Sequence, residues 1–187
     1  MLGVALEGGG ARGAFHVGAI KALLEEGYEI DGVVGTSIGA FNAAMIAQGD
    51  FEKCFEMWCN ISPKQLFDIE DRHMANVLTR NINLKTISYF SSEAKKIISN
   101  RGIDSENLRK VVDNLVDEDK LRKSSMDFGL VTVELGSLSP IELFKEDIPK
   151  GKLKDYIMAS ARYPGLKMDP LDGKTYLDGG IYDNCPV

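Results

Sequence analysis

The chain has 187 residues, of which 44% are apolar and 27% are charged, and its net charge is −6. This length fits one domain with a substantial core. The acidic balance argues against nucleic acid as a partner, because phosphate binding requires clustered Lys and Arg, and against electrostatic recruitment to an anionic membrane. No apolar run approaches the ~18 residues needed to span a bilayer, and no basic segment precedes the apolar N-terminus. We therefore expect a cytoplasmic protein whose contact with membranes is at most peripheral.

The first fifty residues predict a β–α–β–α unit. A short apolar strand at residues 2–6 is followed by glycines and by a helix over residues 13–26, where apolar side chains recur at helical spacing. A second strand is expected at 31–34 and a helix of small residues at 38–47. Strands that alternate with helices imply a parallel sheet with right-handed crossovers, so we predict an α/β fold.

Residues 51–125 have a different pattern. Helices are expected at 51–60, 84–99 and 105–116, with polar breaks between them, and Ser105 is a suitable N-cap for the third. We interpret this segment as a helical insertion over the sheet. Its charge is close to neutral, whereas the rest of the chain is acidic, so it is the part better suited to meet a lipid surface.

Strand patterns return in the last third of the chain. Residues 128–135 and 141–144 flank a polar turn and predict a hairpin. A helix is expected at 152–161, ending before Pro164, because the residue before proline disfavours helix. A short strand is expected at 174–177.

The segment Gly35-Thr36-Ser37-Ile38-Gly39 lies between a predicted strand and a predicted helix. This is the setting of a nucleophile elbow, in which a sharp turn exposes the serine hydroxyl and leaves room only for glycine on either side. The N-terminus of the following helix favours developing negative charge. Ser37 is therefore the candidate nucleophile, with Gly35 and Gly39 as the glycines of the elbow. A glycine-rich turn without a catalytic role is the alternative.

A second glycine-rich loop follows the first strand. Consecutive glycines let backbone N–H groups point into a cavity, as an oxyanion hole requires. The loop also satisfies the G-x-G-x-x-G pattern of dinucleotide-binding proteins, with Asp31 about twenty residues further on. The ribose-binding acid should stand at the end of the second strand, however, and Asp31 stands at its start. We therefore favour an oxyanion hole, with these candidate residues: Gly8, Gly9, Gly10, Ala11, Arg12 and Gly13.

The last predicted strand runs into Asp178-Gly179-Gly180. Its two glycines allow a tight turn that holds the carboxylate against another loop. Alone, such a turn is commonly structural. In this chain it is the candidate partner of the nucleophile.

Together these motifs resemble the patatin-like phospholipase family. The segment Gly8–Gly13 is similar to the family's oxyanion loop, Gly35–Gly39 to its elbow and Asp178–Gly180 to its catalytic aspartate turn. Two more blocks fit in the same order, Ala159–Pro164 before the aspartate strand and Asp183–Val187 after it. Five matches in order make the resemblance specific, although the middle of the chain contributes none.

The resemblance implies a three-layer α/β/α fold with a mostly parallel central sheet and a Ser37–Asp178 dyad. It also implies hydrolysis of lipid or phospholipid esters through an acyl-enzyme, without a metal or other cofactor. The alternative is a non-catalytic lipid-binding or scaffolding module with the same fold. A damaged dyad would be the signature of such a module, and here both residues are present.

We expect a single catalytic domain over residues 1–187, with the insertion at residues 51–125. Family members usually continue beyond the block at Asp183–Val187. The domain is therefore either a compact version or lacks its C-terminal part.

An aspartate is a weak base in water, with a pKa of ~3.9 against ~6.5 for histidine. The dyad therefore requires a dry site, because desolvation raises a carboxylate pKa. Neither histidine stands in a convincing triad position. His16 follows the oxyanion loop and is interpreted as structural, and His73 lies in a polar part of the insertion and is interpreted as a surface residue.

Two further roles stay open. Arg12 either supports the loop through an ion pair or meets a phosphate head group. The side chains of Phe55, Met57 and Trp58 form either a core stripe or the lining of an acyl channel.

Overall fold

A computed structural model describes residues 1–61, 105–162 and 169–187. The helix expected at 84–99, the surface position of His73 and the end of the Ala159–Pro164 block lie outside the described residues.

In the described part of the chain, five strands form one sheet in the order β1–β2–β3–β4, with β5 paired to β3. Their bounds are Gly3–Leu6 for β1, Gly32–Thr36 for β2, Asp127–Glu134 for β3, Ser139–Phe144 for β4 and Tyr176–Asp178 for β5. Strands β1, β2 and β3 are parallel, whereas β4 and β5 are each antiparallel to β3. The predicted α/β fold with a mostly parallel central sheet is confirmed, and the predicted hairpin is the β3–β4 pair.

Strand β3 organises the sheet because it is the longest strand and has three partners. One edge of β3 pairs with β4. On the other edge, β2 ends where Thr36 pairs with Val131, and β5 ends where Asp178 pairs with the next residue, Thr132. Since β2 runs parallel to β3 and β5 runs antiparallel, the C-terminal ends of β2 and β5 meet head-on.

The described ranges contain six α-helices. Their bounds are Gly13–Glu25 for α1, Ile38–Ala47 for α2, Phe51–Asn60 for α3, Glu106–Leu115 for α4, Glu118–Lys123 for α5 and Leu153–Ser160 for α6. The sequence predicted five of these and missed α5. That helix is capped at its N-terminus by Asp117, whose carboxylate accepts the Lys120 N–H at 3.0 Å. Two short 3-10 turns, Gly10–Arg12 and Gly179–Ile181, adjoin the glycine-rich motifs.

Helix α2 lies at the centre of the core, with all ten of its residues buried. Its small side chains let it pack closely on β1, β2 and β3, while α1, α3 and α6 pack around it. Helix α6 also contacts β3 and β5. The described ends of segment 51–125 join this core through α3, α4, α5 and the turn between α4 and α5. These parts contribute buried apolar residues: Cys54, Leu108, Val112, Val116 and Leu121. No helix within the described ranges is long and apolar enough to cross a membrane.

Candidate functional site

Ser37 occupies a strained turn between β2 and α2. Its φ of 57° and ψ of −125° lie outside the regions that residues with a side chain usually adopt, which costs about 1–3 kcal/mol. A Cβ atom on Gly35 would overlap the backbone of Gly39, and one on Gly39 would overlap the Leu6 carbonyl and lie 2.7 Å from the Glu7 oxygen. Glycine is therefore required on both sides of the serine, as the elbow motif predicts.

Asp178 is the last residue of β5, and only 6% of it is exposed. Its Oδ1 accepts the Gly180 N–H at 2.8 Å. Burial raises the pKa of Asp178, while interactions with the Ser37 side chain and the Gly180 N–H oppose part of this rise. The carboxylate thus faces Ser37 in a desolvated setting that makes it a stronger base than a solvated aspartate.

The aspartate turn fits against β3 because its first residue is a glycine. A Cβ atom on Gly179 would overlap the Val131 carbonyl and come within 3.1 Å of Thr36 Cγ2. The turn therefore lies directly against the point where β2 and β5 meet. The two motifs that the sequence placed 141 residues apart are neighbours in the fold.

In the glycine loop that precedes α1, two backbone N–H groups already donate hydrogen bonds within the protein. The Gly8 N–H donates to the Asn184 carbonyl at 2.9 Å, and the Arg12 N–H donates to the Gly9 carbonyl at 3.2 Å. Gly9 and Gly10 have positive φ angles of 152° and 56°, which orient the peptide groups between them. In the described part of the chain, the N–H groups of Gly9, Gly10 and Ala11 donate to no backbone carbonyl of another segment. Those three N–H groups remain available to an anion.

Arg12 folds back over the loop that contains it. Its guanidinium lies 3.7 Å from the Glu7 carboxylate, and its Nε atom would be only 2.6 Å from a Cβ atom placed on Gly9. The side chain is nevertheless 68% exposed. This contact fits the loop-supporting role of Arg12, and its exposed guanidinium still allows a contact with a phosphate head group.

The segment after the aspartate turn ties the motifs together, which sequence reasoning missed. The Thr36 hydroxyl donates to the Asp183 carbonyl at 2.9 Å. Asn184 accepts the Gly8 N–H through its carbonyl, and its side-chain amide lies 3.4 Å from the Gly8 oxygen. The family-like block at Asp183–Val187 was the signal for this segment. The block indicated that these residues belong to the site, but it did not predict their hydrogen-bond partners.

His16 belongs to a buried polar network behind the glycine loop. Its Nδ1 lies 3.4 Å from the Asn42 amide nitrogen, which also donates to the Gly13 carbonyl at 3.0 Å. The Trp58 indole N–H donates to Asn42 Oδ1 at 2.8 Å. Burial lowers the pKa of His16. These contacts fit the structural interpretation of His16.

The apolar side chains of α3 pack inward. Phe55, Met57 and Trp58 are partly buried against the core cluster, and the indole N–H of Trp58 is bonded within it. These contacts favour the interpretation that the three side chains form a core stripe over the alternative that they line an acyl channel. Within the described ranges, no group of His, Cys, Asp or Glu is arranged to hold a metal ion.

Comparisons with known proteins agree with this geometry. The sequence matches the family model described as Patatin-like phospholipase over residues 4–187. It is 27% identical to patatin-like phospholipase domain-containing protein 7 of Rattus norvegicus, an alignment that covers 100% of this chain and 12% of that protein. It is 28% identical to an uncharacterized NTE family protein of Mycobacterium tuberculosis, covering 98% of this chain and 44% of the relative.

The same fold occurs in a solved structure. VipD from Legionella pneumophila superposes with a TM-score of 0.63 at 17% sequence identity, covering 100% of this chain and 47% of that one. The chain spans less than half the length of each of these proteins.

Proposed function

We propose that this chain, which belongs to the patatin-like phospholipase family, is a serine hydrolase that cleaves carboxylic esters of lipids with Ser37 and Asp178. The observation that carries the proposal is the head-on meeting of β2 and β5 on one edge of β3. It brings a strained serine against a buried carboxylate whose pKa burial raises. Few structural roles explain a strained serine beside a buried carboxylate, because both the backbone strain and the buried charge oppose folding.

In the proposed acylation step, Ser37 Oγ attacks the ester carbonyl carbon while Asp178 accepts the hydroxyl proton. The negative charge that forms on the carbonyl oxygen is stabilised by backbone N–H groups of the glycine loop. We assign this to Gly9, Gly10 and Ala11, since the Gly8 and Arg12 N–H groups already have acceptors. When the intermediate collapses, the C–O bond to the alcohol breaks and the alcohol takes the proton from Asp178.

In the proposed deacylation step, a water molecule attacks the acyl group on Ser37 and gives its proton to Asp178. The C–O bond to Ser37 then breaks, the serine recovers its proton, and the fatty acid leaves. The same carboxylate thus acts as base twice, which requires that it stay desolvated but ionisable.

The exposed side chains beside the site support a lipid substrate. Phe15, in the first turn of α1, is 77% exposed, and Ile181 and Tyr182, directly after the aspartate turn, are 49% and 64% exposed. Large apolar residues exposed just after the glycine loop and the aspartate turn suit a substrate that is itself apolar. We propose that these residues contact the lipid surface from which the ester is drawn.

The proposal is tested with a fluorophosphonate probe, which labels activated serines. The adduct is located by peptide mass spectrometry in the native protein, in Ser37→Ala and in Asp178→Asn, with Asp113→Asn as a control for an exposed carboxylate on α4. We expect labelling at Ser37 that is retained in Asp113→Asn and lost or greatly slowed in Asp178→Asn. Turnover of p-nitrophenyl esters should then rise with acyl length.

Other outcomes separate the alternatives. If the folded native protein is not labelled, the hydrolase assignment is wrong and a non-catalytic lipid-binding module becomes the better explanation. If Ser37 is labelled equally fast in Asp178→Asn, the nucleophile is correct and the base is not.

A further inference from the structure

The strained backbone of Ser37 is held from α6 by a single hydroxyl group. The Ser37 N–H donates to Ser160 Oγ at 2.9 Å, and the Ser160 hydroxyl donates to the Val131 carbonyl at 2.6 Å. Ser160 is 0% exposed. Because its oxygen both accepts and donates, this side chain links the elbow, β3 and α6.

The same short segment also holds the aspartate. The Asp178 N–H donates to the Arg162 carbonyl at 2.8 Å, two residues after Ser160. The backbone N–H groups of Ser37 and Asp178 therefore both donate to one short segment at the C-terminus of α6. We name residues Ser160–Arg162 the α6 clamp.

The position of the clamp follows from the sheet. Strand β2 stops at the pair Thr36–Val131 and β5 stops at the pair Asp178–Thr132, so regular pairing along this edge of β3 is interrupted between them. The Val131 carbonyl is buried at that interruption, where the Gly179 backbone lies against it. A buried carbonyl requires hydrogen-bond donors, and the Ser160 hydroxyl is one of them, at 2.6 Å.

We propose that the α6 clamp sets the spacing between Ser37 and Asp178, and that Ser160 is a positioning residue for the nucleophile. This rests on the proposed function, because the spacing matters only if the two residues react together. Ser160 touches neither the substrate nor the reacting atoms. It acts by fixing the N–H of Ser37 while the Arg162 carbonyl fixes the N–H of Asp178.

Replacing Ser160 by alanine removes both of its hydrogen bonds, the one from the Ser37 N–H and the one to the Val131 carbonyl. A small displacement of a reacting atom lowers the rate steeply, so in Ser160→Ala we expect labelling of Ser37, and kcat for an ester, to fall by about tenfold or more. KM should stay within about twofold, since the substrate contacts are unchanged. Ser160→Cys, whose thiol is a weak donor and acceptor, should recover part of the rate.

A matched control separates positioning from lost stability. Val112 on α4 is 1% exposed and lies in the same core, but it has no bond to the elbow. Val112→Ala should lower the unfolding midpoint and leave the labelling rate of the folded protein unchanged. If Ser160→Ala does not fold, Ser160→Cys carries the comparison alone.

Amide hydrogen exchange gives a readout that does not depend on catalysis. In Ser160→Ala or Ser160→Cys the Ser37 amide should exchange faster than in the native protein, while the Asp178 amide keeps its protection through Arg162. Folded Ser160→Ala with native labelling kinetics would overturn the proposal, as would unchanged exchange at Ser37. If instead the native protein is not labelled, the hydrolase assignment fails, and if Asp178→Asn labels normally, the assignment of Asp178 as the base fails. In both cases the exchange result still decides whether the clamp holds the elbow.

Discussion

Replacing Asp178 by asparagine should abolish ester hydrolysis and, at the same time, stabilise the protein at neutral pH. The carboxylate is 6% exposed, and burial is the largest influence on its pKa. Asparagine has nearly the same shape, and its amide oxygen can still accept the Gly180 N–H that Asp178 accepts at 2.8 Å. The variant therefore keeps the packing and removes the buried charge.

The sign of the effect depends on pH. Burial raises the pKa of Asp178 above that of the unfolded chain, ~3.9. The stability that protonated Asp178 contributes is present below the unfolded pKa and is lost as pH rises through the folded pKa. Asparagine does not titrate, so the unfolding free energy of the variant rises relative to that of the native protein over that pH range. The gain is about 1.4 kcal/mol for each unit of pKa elevation, or roughly 3–5 °C in Tm for a chain of this size.

The assay is urea and thermal unfolding of both proteins from about pH 3.5 to pH 8, with ester hydrolysis measured in parallel. The difference in unfolding free energy should be small at the acidic end, rise with pH and then level off. The reasoning would be refuted if Asp178→Asn were less stable than the native protein at pH 8, or if the difference did not change with pH.

Asp50 provides a control of opposite sign. Hydrogen bonds from Lys53 and Lys120 lower the pKa of Asp50 to about 2. This group therefore contributes stability above the unfolded pKa, and the contribution is lost as pH falls through about 2. Both lysines are about half exposed, at 59% and 49%. Asp50→Asn should accordingly lose about 1–2 kcal/mol at neutral pH, after allowance for solvent screening, and its deficit should shrink in acid.

Three further substitutions test the local geometry. Ser37→Gly should remove the nucleophile yet raise the unfolding free energy by about 1 kcal/mol relative to Ser37→Ala, because glycine tolerates the positive φ; urea denaturation measures this. Trp58→Phe should lower the unfolding free energy by about 1–2 kcal/mol, since it leaves the buried Asn42 oxygen without the indole donor, and equal stability would contradict that assignment. Gly39→Ala should prevent folding because its methyl group overlaps the backbone at the end of β1, whereas Gly18→Ala on α1, with open space around it, should fold normally by circular dichroism.

The sequence predicted the elements whose information is local. The elbow is an example, because the strand, the glycines on both sides of Ser37 and the following helix all lie within a few residues. The α/β fold and the mostly parallel sheet follow from the same alternation of short strands and helices. Helix α5 was missed because its six residues, Glu118–Lys123, are too few to show a helical period. It is stabilised by its cap at Asp117 and by the Glu118–Arg122 ion pair at 2.7 Å.

The contacts that complete the site could not be predicted from the sequence because they join distant segments. The Thr36 hydroxyl reaches the Asp183 carbonyl across 147 positions, and the Ser37 N–H reaches Ser160 across 123. A single serine at the end of a helix belongs to no sequence pattern that predicts its hydrogen-bond partners. Its function becomes visible only when the sheet register shows which carbonyl and which N–H lie beside it.

The same register explains how two short side chains can form the proposed dyad. Ser37 and Asp178 extend from the ends of β2 and β5, so their separation is set by how both strands pair with β3, and little side-chain freedom must be lost. Side chains alternate between the two faces of a sheet, so a shift of β5 by one residue would turn the Asp178 carboxylate to the opposite face. The Thr132 hydroxyl, which donates to the Leu177 carbonyl at 2.9 Å, and the close approach of Gly179 to β3 both oppose such a shift. We therefore infer that residues holding the register of β5 are as necessary to the proposed reaction as the two residues that carry it.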